Sequence, residues 1–422
     1  MFAAYLVLFA WLVTKVKFFT KSGLSNPQLV ILFLLKVMAG IFYGWIGVYY
    51  GEMAKMIDTW AYHAESIQEY HTLTTHPLQF FTGFFHTYAG GYSNFLTTHN
   101  SWWNDVKANF LIKIMALFNL LSFGHYYVNV IFYSFLSMWG PVAIYRVMHD
   151  VYPDKKGILL VACFLIPSFL YWTSGVHKEG LIFTGLGLMA YHLYFGFKEK
   201  RFPPYRVLLI LLGFLLVLIL RNFLVLTLLP PLIAWIICEK FKYKPAFVFL
   251  AVWILSVLVF FTARYINPKF DFPQATVMKQ QEFLKLGGGS AINVNELQPD
   301  VMSFIKNTPQ ALSMTLLRPF PSDVKHLLSL AAATEINILI LLFIVFLLFR
   351  IKGGRLTPYL WFCLSLSFGI VLMVGYTVNI LGAIVRYRSI IFPFLMAPMM
   401  CNIDWQRVGS LLSTSIKNKN NV

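Results

Sequence analysis

Residues 205–238 read YRVLLILLGFLLVLILRNFLVLTLLPPLIAWIIC. As one helix at 1.5 Å per residue this run would reach about 50 Å, against a hydrocarbon core of about 30 Å. Arg221-Asn222 sits at its middle, and Pro230-Pro231 disrupts any straight continuation. The run therefore reads as two spans joined by a tight hairpin whose tip, Arg221-Asn222, faces the outer side.

Comparable apolar runs recur on both sides of this hairpin. Of 422 residues 58% are hydrophobic and 12% are charged, more apolar surface than a soluble core needs and incompatible with a disordered chain. The span-length rule predicts an all-α, polytopic helical membrane protein with about eleven transmembrane helices. They form a single membrane domain over 1–422, with large loops at 51–107 and 264–326. The first run, Phe2 to Val13, has its lysines (Lys15, Lys17, Lys21) after it rather than before it, as a retained helix does and a cleaved leader does not. Cys163, Cys238, Cys363 and Cys401 lie in or at the ends of apolar segments, match no zinc spacing, and read as core packing.

A net charge of +17 suggests nucleic acid at first sight, but membrane topology accounts for it, because Lys and Arg concentrate in cytoplasmic loops. Six basic stretches qualify: Lys15 to Lys21, Arg146 to Lys156, Lys198 to Arg206, Lys240 to Lys244, Arg350 to Arg355 and Arg407 to Lys419. Placing all six inside pairs the intervening helices as hairpins, provided that Phe110 to Phe123, which contains Lys113 and Asn119, is in-plane or re-entrant. The expected topology is N-terminus outside and C-terminus cytoplasmic. Both large loops are then extracytoplasmic. Phe80, Phe81, Phe84, Phe85, His86, Tyr88 and Trp102-Trp103 read as amphipathic interfacial helices in the first.

The outer face then collects the reactive residues. Asp58 lies just past the second span, and Asp58, Tyr62, Glu65 and Glu69 fall on one helical stripe. The plain reading is a solvated acidic face; the functional one is a carboxylate acting as general base toward a hydroxyl. In Ser174-Gly175-Val176-His177-Lys178-Glu179, Glu179 favours a helix start, while Lys178 sits at the depth of lipid phosphates. Arg221, Arg386 and Arg388 violate the inside bias, and arginine binds phosphate through a bidentate fork. Snorkelling to headgroups is the alternative. Arg318-Pro319-Phe320-Pro321, followed by Asp323, Lys325 and His326, leads into a span containing Glu335, a candidate either for a structural pair with one of the arginines or for a catalytic role. The histidines His63, His71, His76, His86 and His99 have no metal-ligand spacing, so neither metal nor cofactor is expected. No phosphate-binding loop or dinucleotide fingerprint is present, which disfavours an ATP-driven pump.

On these residues the chain resembles the multi-spanning GT-C glycosyltransferases, whose first outer loop opens with an acidic residue soon after a transmembrane helix. Asp58 and Tyr62 match that placement. Lys178-Glu179 and Arg386-Tyr387-Arg388 are similar to segments of bacterial envelope-polysaccharide proteins, including O-antigen and exopolysaccharide polymerases. Asp58 has no adjacent second acid, unlike the family pattern. The resemblance implies a membrane glycosyltransferase of the bacterial inner membrane, with a polyprenyl-phosphate-linked sugar donor and a glycan or lipid acceptor. Asp58 would be the catalytic base. Tyr62, His63, Lys178, Glu179, Arg221, Arg318, Arg386 and Arg388 would bind substrate, and Gly287-Gly288-Gly289-Ser290 would close over the acceptor. A polymerase of lipid-pyrophosphate-linked repeat units is one alternative. The other is a non-enzymatic transporter or flippase, disfavoured because the charges sit at the boundary and no internal repeat is evident.

Overall fold

The computed structural model describes residues 1–49, 58–85, 102–287, 289–351, 353 and 356–410. Glu52, His86, Tyr88, His99, Gly288, Lys352, Arg355 and the 411–422 tail lie outside them, as do the side chains of Phe85, Trp102 and Trp103. Among the described residues the chain is all-helical, apart from two isolated β-bridges.

Besides the short helices Lys17–Thr20 and Pro77–Thr82, the helices in chain order are α1 (Phe2–Val13), α2 (Asn26–Tyr49), α3 (Asp58–Thr75) and α4 (Trp102–Ser122). Then come α5 (Tyr126–Ser137), α6 (Trp139–Val151), α7 (Lys156–Leu160), α8 (Pro167–Ser174) and α9 (Lys178–Lys198). α10 (Pro204–Leu220), α11 (Asn222–Phe241), α12 (Pro245–Ile266), α13 (Phe272–Leu286) and α14 (Val301–Leu316) follow. The last are α15 (Leu327–Phe349), α16 (Pro358–Thr377), α17 (Leu381–Ser389) and α18 (Phe392–Cys401). Proline opens α8, α10, α12, α16 and α18, where its missing N–H has no intrahelical partner to lose.

Seven described helices are long and apolar enough to cross a membrane, counting α5 and α6 together as Tyr126–Val151, and up to nine spans result if two bent pairs each count as one. The structure thus supports a multi-pass membrane protein with fewer secure spans than the eleven expected. The difference is α1 and α10, apolar helices of 12 and 17 residues that fall short of span length. The bent pairs are α7 with its π-helical extension against α8 (52°) and α17 against α18 (62°). α12 and α15 face outward with exposed Phe247, Leu255, Leu347 and Leu348, a surface that lipid covers and water does not.

The tight turn at Arg221 is present: α10 ends at Leu220, α11 begins at Asn222, and the far ends of the two helices meet near Phe197, which contacts both Phe202 and Trp235. Described residues of the basic stretches gather at one end of the bundle. Arg146 donates to the Phe18 carbonyl, Lys198 pairs with Asp150, Asn402 bonds Tyr152, and Arg350 pairs with Ile403.

Phe110–Phe123 belongs mostly to α4, which is not among the span candidates; it packs along α3 through Lys113–Glu69 (2.8 Å) and Asn119–Ser66. Phe80 is fully buried beneath Lys113, whereas Leu78 and Phe81 are exposed. The 264–326 region contains the helices α13 and α14. α14 lies against α16 so closely that a Cβ on Gly375 would meet the Ala311 carbonyl oxygen at 2.1 Å.

Candidate functional site

The end of the bundle opposite the basic stretches holds a polar cavity of about 140 Å³. Four chain segments build it. Asp58 opens α3, His177 caps α9 whose first residues are Lys178 and Glu179, Arg221 is the α10–α11 turn, and Arg386-Tyr387 belong to α17. Lys107 of α4 and Lys279 of α13 add two cations, and Ile370, Met373 and Val374 of α16 with Phe223 and Phe283 give the lining an apolar side.

Glu179 is the centre of the charge network and has no exposed surface. Its Oε1 takes Arg221 Nη2 at 2.6 Å and Arg386 Nε at 3.5 Å, and its Oε2 meets His177 Nδ1 in a short contact. His177 Nε2 then lies 3.6 Å from Asp58 Oδ2, which is also 3.6 Å from Arg386 Nη1. A carboxylate–imidazole–carboxylate chain thus runs from the buried Glu179 to the half-exposed Asp58, braced by Arg386. The hydroxyl of Tyr133 donates to the His177 carbonyl and fixes the start of α9. Gly180 makes this approach possible, since a Cβ there would meet the Thr173 carbonyl oxygen at 2.4 Å.

Aromatic rings carry several of the cations, Lys279 among them over Phe223 and Phe283. Lys178 Nζ lies 4.9 Å from the Tyr62 ring centre, and the Arg221 and Arg386 guanidinium groups lie 4.0 and 5.0 Å from that of Tyr387. Five cations line the cavity (Lys107, Lys178, Arg221, Lys279, Arg386) with one carboxylate, Asp58. Glu179 stands behind it, and Glu282 pairs with Lys279 at 3.3 Å. Burial, with Lys178, Lys279 and Arg221 nearby, pushes the Lys107 amine well below its ordinary value. The His177 contact, aided by Arg386 and Lys178, holds the Asp58 carboxyl down at about 2 against the opposing effect of burial. Such a cavity suits an anion, beside a carboxylate that is ionised near neutral pH.

The other expected site residues lie elsewhere. His63 is buried against Trp60 and Tyr126, away from the cavity lining. Arg318 pairs with Asp323 at 3.0 Å. Arg388, 1% exposed, donates Nη1 to the carbonyls of Thr315 and Arg318 and so ties α17 to the end of α14. Glu335 accepts from the Ser168 backbone N–H at 2.6 Å and forms no ion pair with an arginine within 4.0 Å among the described residues. Gly289-Ser290 pairs with the start of α17 (Leu381 N–H to the Ser290 carbonyl, 3.0 Å) and lines a different groove, so it does not cover the cation cavity.

His177, Lys107, Lys279 and Tyr387 complete the site beyond the sequence-derived set. For Lys279 a signal existed: it lies on an amphipathic stretch capped by Asp271, whose side chain accepts from the Gln274 N–H. Charge is not confined to the outer boundary either. Lys36, midway along α2, donates to the Thr173 carbonyl at 2.8 Å and caps the end of the broken helix α8. Among the described residues no group of three or more His, Cys, Asp or Glu is placed to hold a metal ion. Comparison with protein-family models, with curated proteins and with solved structures finds no match.

Proposed function

We propose that this chain is a membrane glycosyltransferase that moves a sugar from a polyprenyl-phosphate carrier to an envelope glycan or lipid acceptor, on the outer face of a bacterial inner membrane. The observation carrying the reading is the junction, in one cavity, of five cations with the ordered Glu179–His177–Asp58 chain. Lys178, Arg221 and Arg386 hold the donor phosphate and the charge that develops on it as the bond to the anomeric carbon breaks. The acceptor hydroxyl donates to Asp58. A carboxyl held at about 2 is a weak base, so it takes the proton late, once the oxygen has bonded to an oxocarbenium-like carbon. The electron pair of the broken bond leaves with the lipid phosphate.

Two other readings keep a specific support. The surplus of cations fits a pyrophosphate, as a polymerase of lipid-pyrophosphate-linked repeat units requires. The adjacent broken helix pairs, with Lys36 and Glu335 buried within spans, fit a transporter. Transfer of labelled sugar from a synthetic polyprenyl-phosphate donor by the purified protein tests the proposal. Asp58→Asn and Arg386→Ala should each abolish transfer. Full activity in Asp58→Asn removes the mechanism, and ion-driven uptake of an unchanged substrate favours transport.

A further inference from the structure

A second and larger cavity, about 740 Å³, lies on the other side of α17. Leu381, Gly382 and Val385 of α17 face it, whereas Arg386 and Tyr387 of the same helix line the cation cavity. Its walls are apolar and aromatic, with Phe42, Leu170, Tyr171, Trp172, Ala331 and Ala332 prominent. Phe42 is 47% exposed, so the groove opens on the outside of the bundle, where a membrane protein meets lipid.

Of the polar side chains that also line the groove, Asp323 pairs with Arg318, Lys325 donates to the Gly289 carbonyl and His326 accepts from the Ser329 N–H, whereas Glu335 keeps an atom without a partner. Glu335 lines it, is 7% exposed, and has its Oε2 satisfied by the Ser168 N–H, while Oε1 has no hydrogen-bond partner among the described residues. The buried Arg388, held through Nη1 by the Thr315 and Arg318 carbonyls, likewise has Nε and Nη2 without hydrogen-bond partners among the described residues. A buried acceptor left unpaired is destabilising, the more so when charged. A hydrocarbon chain alone leaves that penalty in place. A phosphate headgroup brings a second negative charge against the carboxylate. A hydroxyl donates to the carboxylate without adding charge.

We infer that this groove is a second ligand site, which takes a lipid carrying sugar-like hydroxyls. The chain lies along the aromatic wall and one hydroxyl donates to Glu335 Oε1. The site is separate from the cation cavity and does not depend on the transfer reaction proposed above.

The test uses the full-length protein reconstituted in phosphatidylcholine nanodiscs doped with monoglucosyl diacylglycerol, or with diacylglycerol of the same chains. Bound lipid is counted by native mass spectrometry, and free glucose is added as competitor. The glucosyl lipid should be retained about tenfold over diacylglycerol, the discrimination one charge-assisted hydrogen bond supplies. Glu335→Ala should remove that preference. Ala332→Trp, which fills the groove, should remove retention altogether, and Arg221→Ala should leave both unchanged. Equal retention of the two lipids overturns the inference. So does persistence of the preference in both Glu335→Ala and Ala332→Trp, loss of it in Arg221→Ala, or displacement by free glucose at the affinity of the glucosyl lipid.

Discussion

Arg221 Nη2 stands 2.6 Å from Glu179 Oε1, so the tip of the α10–α11 hairpin is locked to the first turn of α9. Glu179 is fully buried, and Arg386 shares the same oxygen. Removing one partner of a buried pair leaves the rest as uncompensated charge, at about 3–5 kcal/mol. Glu179→Ala should therefore cost about that much stability, because it strands two arginines. Arg221→Ala should cost less, since Arg386 and His177 still face the carboxylate. In a double-mutant cycle followed by denaturant unfolding in detergent, the Glu179→Ala/Arg221→Ala pair should lose clearly less than the two single losses combined. Strict additivity means that the contact stabilises nothing.

Asp58 predicts a particular pH behaviour. Its carboxyl is held at about 2 in the folded protein, below the value near 4 of an unfolded chain. A depressed carboxyl contributes stability that is fully present above the unfolded value and is lost as pH falls through the folded one. The stability gap between the protein and Asp58→Asn should thus be constant from neutrality down to about pH 5 and close between about pH 4 and 2. The carboxylate is half exposed, so the gap is small. Thermal unfolding of both proteins over that range measures it, and a gap that widens toward acid contradicts the assigned charge state.

The cations should be separable by ligand. Arg221, Arg386 and Lys178 surround the Asp58–Glu179 chain, whereas Lys107 and Lys279 lie toward α4 and α13. Inorganic pyrophosphate should bind the purified protein, and Arg386→Ala should weaken it about 10- to 100-fold, the range of one lost charge-assisted contact. Lys279→Ala should weaken pyrophosphate more than orthophosphate if the second phosphate reaches α13. Calorimetric titration with both anions decides this; equal losses place a single phosphate in the cavity.

How much of this was legible in the sequence follows from where each signal lives. The Arg221 hairpin is written in one continuous stretch, because length and a central charge determine it. The closeness of Lys178-Glu179 to Arg221 and Arg386 was legible only through topology, and the helix pairing supplied it. Arg386 and Arg388 misled as a pair. Residues two apart on a helix point to different faces, so one reaches the cavity and the other clamps the α14 carbonyls. His177 was hidden because its role is a relation to Asp58, more than a hundred residues away, which no local pattern records. The eleven expected spans exceed the seven to nine candidates because α1 and α10 are apolar yet short, and composition alone does not decide whether such helices cross.

Sidedness is the assumption shared by every functional claim, and the structure dictates how to test it. Thr59 and Val176 have no exposed surface and Thr377 has little, so cysteines there label poorly whatever their side. Ala61 on α3 and Lys285 on α13 are exposed near the cavity end; Lys200 and Lys242 are exposed at the opposite end. With the native cysteines, all buried, replaced by alanine, single cysteines at these four positions should divide cleanly under a membrane-impermeant maleimide. Positions 61 and 285 should label in intact cells, and 200 and 242 only after permeabilisation, because the basic end belongs inside. The reverse pattern turns the cation cavity toward the cytoplasm, where nucleotide-activated sugars replace lipid-linked ones as the plausible donors. A split within either pair means that the bundle does not cross the membrane along its long axis.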